Sequence, residues 1–386
     1  MEKTIGSTRG ARTLEAVAGA LVLAIGMGFG RFSFTGMYPL MVRDGVIDVT
    51  AGSVAASANY AGYLLGAILM SRFKHHHAAR LCQLSMIGTI ACLAVLSLHL
   101  PESLLATVRF VAGVVSAMAM VGASIWLLHV VGQHHGAPLL FAGVGVGIVV
   151  SAEIIAIGAA TGLNSAALWA LLAAAALLLS ALAWPRLGMS HADTASQDDD
   201  DAHADRRNPH RSAPNAYVLV ALYGLAGFGY IVTATYLPLL VKDTVPGINP
   251  VHIWAAFGIG AVPSCFLWHW LNQRLGSRRA IALNLLVQAV GVVLPALVVS
   301  ASSFLASAVL VGGTFVGTVT IAMPVARQIA STVRFNVMAT MTAAYGVGQI
   351  LGPLVSSALF ARTHSFDAPL VAAGASLVLA AALACK

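Results

Sequence analysis

The most constraining feature of this sequence is its series of apolar runs. Runs long enough to cross a bilayer, about 18 residues or more, recur along nearly the whole chain. Apolar residues make up 59% of it and Asp, Glu, Lys and Arg only 9%, against roughly a quarter in a soluble domain. A soluble fold of this length could not bury that much apolar surface, whereas lipid can cover it. The sequence therefore predicts an all-α polytopic membrane protein.

Twelve transmembrane helices are predicted from these runs. They cover residues 15–40, 50–71, 80–100, 103–129, 138–160, 163–184, 215–241, 251–271, 280–300, 303–326, 336–360 and 368–385. An even number of spans places both termini on one side of the membrane. The first run is too long for the apolar core of a cleaved signal peptide, so we expect it to be retained as a helix.

The basic residues predict which side this is. Of 21 Lys and Arg residues, 16 lie at the termini or in even-numbered loops, three lie in odd-numbered loops, and Arg31 and Arg109 lie inside spans. Positively charged loops stay in the cytoplasm, so both termini are predicted to be cytoplasmic in a multi-pass protein of the bacterial inner membrane. The net charge of +7 thus reflects topology, and no nucleic-acid partner is expected.

A polar stretch divides the chain. Residues 186–214 contain prolines and the acidic run Asp198–Asp201, a composition that predicts a flexible cytoplasmic linker. The alternative for the acidic run is a metal site with nearby histidines. The linker separates a predicted N-terminal six-helix bundle, residues 1–185, from a C-terminal one, residues 215–386.

The two bundles resemble each other in sequence. Residues 28–44, GFGRFSFTGMYPLMVRD, match residues 227–243, GFGYIVTATYLPLLVKD, at seven of 17 positions with an offset of 199. A Gly-Val-Gly segment at 145–147 recurs at 346–348 with an offset of 201. Two matches at nearly one offset indicate an internal repeat, as in transporters built from parallel repeats.

Several motifs carry a resemblance to a known family. Gly30-Arg31-Phe32, then Pro39-Leu40-Met41, then ASANYAGYLLG at 56–66, are similar to the bacterial YbfB/YjiJ-type transporters of the major facilitator superfamily. Arg109 and Gly113 resemble that superfamily's Arg-xxx-Gly motif. The resemblance spans about residues 15–385 and implies two bundles around a central cavity, with alternating access and no particular substrate.

One departure from the superfamily concerns the loop after the second span. The superfamily's motif there contains an Asp, but residues 66–80 contain no acidic residue. In the sister loop Gln273 stands where the Asp is expected. A cytoplasmic gate that depends on this Asp cannot operate here in its usual form.

Three ionisable residues inside spans are the main candidates for function. By helical rise, Arg31, Arg109 and Glu153 lie at one depth, roughly 9–11 Å below the outer surface. We predict one charged cluster in which the arginines bind substrate and Glu153 carries a coupling proton. Structural alternatives stay open for each: carbonyl pinning for Arg31, snorkelling for Arg109, and neutralisation of an arginine for Glu153.

The C-terminal half carries neutral polar residues instead of charges. The repeat offset places Tyr230 opposite Arg31. A cationic bundle facing a hydrogen-bonding one suits a small organic anion, so the predicted function is secondary active transport of such a solute by alternating access, with proton coupling as a candidate. The remaining predicted substrate-binding residues are Asn59, Tyr63, Tyr230, Thr235, Tyr236, Tyr345 and Gln349.

Other classes of protein fit the sequence less well. Efflux of drugs or metabolites by an antiporter is the closest alternative. An intramembrane enzyme would need catalytic side chains clustered at one depth, whereas His99, His129 and His269 share no span. We therefore expect a monomeric, non-enzymatic protein without metal or cofactor, whose partners are the lipid bilayer and a small-molecule substrate.

Overall fold

The computed structural model describes residues 2–70, 77–187, 215–244, 247, 249–330 and 333–385. Residues 188–214 of the predicted linker lie outside this part of the chain. In the described part, twelve helices are long and apolar enough to cross a membrane, which confirms the predicted all-α fold. They are α1 Thr13–Arg43, α2 Val49–Met70, α3 Ala78–Leu96, α4 Glu102–Val130, α5 Ala137–Ala160, α6 Ser165–Leu187, α7 Ala216–Lys242, α8 Pro250–Leu275, α9 Ser277–Leu297, α10 Ala301–Ile329, α11 Val337–Thr363 and α12 Asp367–Ala384.

The middle of α1 departs from α-helical geometry. Residues Ala24–Phe32 form a π-helical segment, and all nine are buried. A π-helical segment bonds i to i+5 and so holds an extra residue compared with an α-helix. The faces of α1 before and after it are therefore rotated relative to each other, by about 100° for one inserted residue.

Close helix crossings recur in the two halves. A β-carbon on Gly113 of α4 would lie 2.0 Å from the carbonyl oxygen of Asn59 in α2. A β-carbon on Gly312 of α10 would lie 2.1 Å from the carbonyl oxygen of Phe257 in α8. Gly113 and Gly312 are 199 positions apart, which is the offset of the sequence repeat. The same backbone crossing is therefore built twice, as expected for a repeat.

The two halves meet mainly along two seams, α2 against α11 and α5 against α8, and α1 also contacts α7. The α5–α8 seam is a backbone contact, because a β-carbon on Gly145 would lie 2.8 Å from the carbonyl oxygen of Gly258. On the outside, large apolar side chains are exposed, such as Leu178 of α6 at 69% and Leu297 of α9 at 73%. Lipid is the solvent that covers such a surface.

Candidate functional site

A cavity of about 230 Å³ lies between the two halves and is lined by α1, α2, α4, α5, α7, α10 and α11. Its lining residues fall early in α5, α7 and α11 and late in α10, so it extends towards the end of the molecule where α1 begins and α12 ends. We call this the termini end, and the opposite one the distal end. The cavity reaches Phe141, in the first turns of α5.

Arg31 lies at the inner limit of this cavity, and it is the one charged side chain among the described residues that line it. It is only 3% exposed. Its Nη2 donates to Oε1 of Gln349 at 3.0 Å, and Nε2 of Gln349 donates to the hydroxyl of Tyr230. Nε of Arg31 is buried without a hydrogen-bond partner. Within the described ranges no carboxylate lies within ion-pair distance of this guanidinium.

Aromatic rings surround the Arg31 guanidinium on several sides. Its Cζ lies 4.0 Å from the ring centroid of Tyr63, 5.0 Å from that of Tyr60 and 5.4 Å from that of Phe32. Such cation–π contacts stabilise a cation without neutralising its charge. They also fix the plane of the guanidinium while its N–H edge stays available for a hydrogen-bond acceptor.

The C-terminal half contributes a wall of rings to the same cavity. Tyr223 and Tyr345 have ring centroids 4.6 Å apart. Tyr345 stacks on Tyr230 at 5.6 Å, and Tyr230 stacks on Phe315 at the same distance. All four rings line the cavity. The opposite wall, from the N-terminal half, consists mainly of apolar side chains: Met27, Phe32, Met120, Phe141 and Val144.

Arg109 lies behind α1, outside the cavity wall. Its Nη1 and Nη2 donate to the backbone carbonyls of Gly30 and Arg31, at 3.0 and 3.1 Å. Its Cζ lies 4.4 Å from the ring centroid of Phe34. Nδ2 of Asn59 donates to the backbone carbonyl of Arg109 at 2.9 Å. Arg109 and Asn59 therefore hold the π-helical segment of α1 and the α2–α4 crossing together, and neither reaches the cavity.

Thr235 and Tyr236 lie on the distal side of the cavity, where they join the two halves. The hydroxyls of Tyr60 and Thr235 are 3.0 Å apart, and those of Ser53 and Tyr236 are 2.5 Å apart. Oγ1 of Thr35 donates to the carbonyl of Ala234 at 2.7 Å. Among the described residues these bonds close the distal end, and the cavity continues towards the termini end.

Glu153 does not join the two arginines, and the predicted three-residue cluster is not formed. Its Oε1 lies 3.0 Å from Nδ1 of His252, in α8 of the other half. The side chains are 41% and 52% exposed, respectively. The two arginines do meet, because the Arg109 guanidinium bonds to the Arg31 carbonyl. Equal depth was predicted for all three residues, but depth does not determine which way a side chain faces.

Of the predicted substrate-binding residues, five line the cavity: Arg31, Tyr63, Tyr230, Tyr345 and Gln349. Sequence reasoning missed Tyr223 and Phe315. A signal for Tyr223 was present, because it precedes Tyr230 by two helical turns and so shares its face. In the part of the chain that the structure describes, no three His, Cys, Asp or Glu side chains come together as a metal site would require.

Two bundles of six helices around a central cavity, closed at one end and continuing towards the other, define a secondary transporter of the major facilitator type. A family model described as an uncharacterised MFS-type transporter YbfB matches residues 23–385, and the chain belongs to that family. The resemblance stated from the motifs is thereby confirmed, and so is the expectation of a transporter, not an enzyme. No curated protein matches the chain.

Proposed function

We propose that this transporter carries a small organic carboxylate, which binds through Arg31. The observation behind the proposal is a buried cation in the cavity wall that has no carboxylate within ion-pair distance among the described residues. A buried charge is strongly destabilising unless it is paired. An anionic substrate would supply the missing charge each time it binds.

The groups around Arg31 suit a carboxylate better than a simple halide. The guanidinium offers parallel N–H groups to the two carboxylate oxygens. Gln349 now accepts one N–H of Arg31 and can yield it to a substrate oxygen. Since Gln349 also bonds to Tyr230, it would keep a partner after the exchange.

The test measures ligand affinity in purified Arg31→Lys and Arg31→Ala protein. Arg362→Lys is the control, because it replaces an exposed arginine outside the cavity. Hydrogen bonds to charged groups contribute roughly 1.5–3 kcal/mol, so both Arg31 variants should bind a carboxylate about tenfold or more weakly. An ammonium cannot reproduce the two-bonded geometry, so Lys should fail nearly as badly as Ala. Wild-type affinity in both variants would remove Arg31 from the site.

The cavity faces the cytoplasm in this proposal. The distribution of basic residues supports cytoplasmic termini, and the cavity extends to the termini end. Reporter fusions at Asn208, in the proposed linker 186–214, and at Asn249, before α8, should report opposite sides of the inner membrane. Equal signals would contradict the topology, and with it the division into bundles 1–185 and 215–386.

Proton coupling through Glu153 is the second part of the proposal. The Glu153–His252 contact joins the two halves near the distal end, so it must break when that end opens. Protonation of the carboxylate would weaken the pair and so link opening to pH. Glu153→Gln should then abolish accumulation driven by a pH gradient while leaving counterflow exchange intact. Full pH dependence in the variant would exclude the role.

Efflux of an uncharged or cationic drug remains the alternative function. The apolar and aromatic lining favours it, whereas the Arg31 charge opposes it. A competition assay separates the two, because a carboxylate transporter should lose ligand binding in Arg31→Ala and a drug transporter should gain it.

A further inference from the structure

The distribution of polar groups in the cavity limits what can be attached to the carboxylate. Arg31, with Gln349 beside it, lies at the closed limit. The walls towards the termini end are mainly rings, methionines and valines, and their polar groups are the hydroxyls of tyrosines and of Thr342. A second charge on the substrate would lose its hydration without gaining a charged partner, because Arg31 is the one charged side chain among the described lining residues. The cavity therefore fits an acid with its charge at one end and an apolar body.

The C-terminal wall specifies the shape of that body. Tyr223, Tyr345, Tyr230 and Phe315 form a continuous series of rings with centroid separations of 4.6, 5.6 and 5.6 Å. A flat aromatic body can extend this series by stacking, and stacked or edge-to-face pairs of rings are favoured beyond their buried area. A saturated ring is thicker and has no π-face.

The size of the cavity sets the scale of the ligand. Its volume of about 230 Å³ lies just below the range of roughly 300–1,000 Å³ found for pockets that bind drug-sized ligands. One aromatic ring with a short acidic substituent is of the right order. The methionines Met27, Met120 and Met323, which also line the cavity, make favourable sulfur–ring contacts and adapt their shape.

We infer that the substrate is a small aromatic monocarboxylate, with its carboxylate on Arg31 and its ring against Tyr223, Tyr345 and Tyr230. This inference rests on the proposed function, since it requires the anion to bind Arg31. The inference adds the chemical class of the rest of the substrate, which Arg31 does not contact.

The test compares benzoate with cyclohexanecarboxylate in their binding to wild-type protein. The two acids have the same charge and the same number of ring carbons, and differ in the π-system. Benzoate should bind about three- to tenfold more tightly, as expected from one or two ring–ring contacts. Equal affinities, with both lost in Arg31→Ala, would overturn the aromatic inference and leave the anion proposal standing.

Three further ligands separate the remaining outcomes. Benzyl alcohol keeps the ring without the charge, so binding as tight as that of benzoate would overturn the anion proposal itself. Butyrate and succinate keep the carboxylate without the ring, so tighter binding of either than of benzoate would overturn the inference alone. Failure of benzoate to bind also overturns it.

Variants of one ring give an independent check. Tyr223→Leu removes the ring but keeps an apolar side chain, and it should reduce the preference for benzoate over cyclohexanecarboxylate towards one. Tyr223→Phe keeps the ring and should retain the preference. A preference that is unchanged in Tyr223→Leu and in Tyr345→Leu would show that these rings do not contact the substrate.

Discussion

Arg31 and Arg109 are 3% and 1% exposed and meet at the backbone of α1, yet their surroundings differ. The region behind α1 offers Arg109 two backbone carbonyls. The region in front offers Arg31 aromatic faces, one amide oxygen and a cavity. Nε lacks a hydrogen-bond partner in both arginines, but only Arg31 lines a cavity from which a ligand can reach it. Burial alone therefore does not separate a structural cation from a binding cation, but the position of the guanidinium relative to the cavity does.

The largest expected effect comes from removing the structural cation. Arg109→Ala removes the side-chain hydrogen bonds to the carbonyls of Gly30 and Arg31, and buried hydrogen bonds to a charged group contribute roughly 1.5–3 kcal/mol each. We expect a loss of about 3–5 kcal/mol in the free energy of unfolding, seen as early thermal unfolding in detergent. Arg31→Ala, as the matched variant, should lose less, because it removes one such hydrogen bond and also removes a buried charge that has no carboxylate partner among the described residues. Equal losses in both would erase the distinction between the two regions.

The next prediction concerns Gln349→Glu, which places a carboxylate beside Arg31. In Gln349→Glu the new carboxylate replaces an amide oxygen that lies 3.0 Å from Nη2 of Arg31. The internal pair should compete with a substrate anion and weaken its binding about tenfold or more. Gln349→Leu, which removes the amide without adding a charge, should weaken it less. Tighter anion binding in Gln349→Glu would contradict the proposed role of Arg31.

Much of the fold was predictable from sequence, and so was part of the site. The spans follow from composition, and the repeat led from Arg31 to Tyr230. The directions in which the side chains of Asn59, Arg109 and Glu153 point were not predictable, because helical rise gives the depth of a residue but not its rotation about the helix axis. The π-helical segment of α1 adds a second difficulty, since a face extrapolated with 3.6 residues per turn is wrong beyond it.

A third arginine shows how an arginine behaves when a carboxylate is present. Nε of Arg43 donates to Oδ1 of Asp44 at 2.8 Å, and the Ser165 backbone N–H donates to Oδ2 at 2.6 Å. Burial raises the pKa of Asp44, but hydrogen bonds from Arg43 and Ser165 outweigh it, and the pKa lies below its usual value. A lowered pKa means that this stabilisation is present at neutral pH and is lost as the pH falls through the folded-state pKa.

Asp44→Asn should therefore destabilise the protein by about 1 kcal/mol at pH 7. The difference between wild type and variant should shrink in acid, as the wild-type carboxylate becomes protonated. Thermal unfolding across a pH series measures both. A difference that grows as the pH falls would contradict the direction of the Asp44 pKa.

The smallest expected effect tests whether Glu153 neutralises either arginine. Its carboxylate contacts His252, so Glu153→Gln should leave carboxylate affinity within about twofold of wild type, which is less than 0.5 kcal/mol. Binding is measured at one fixed pH to separate affinity from coupling. A gain of tenfold would show that Glu153 had been competing with the substrate for Arg31.

The contact between Gly145 and Gly258 has a mechanical consequence. At this point backbone meets backbone, and the side chains of Ile148, Val149 and Val262 pack beside the contact. Glycines let two helices approach this closely. The spacing of the two halves at the α5–α8 seam is thus set by main-chain atoms at this point, and it depends on glycine at both positions. A side chain added at Gly145 would force the two halves apart, because its β-carbon would lie only 2.8 Å from the carbonyl oxygen of Gly258.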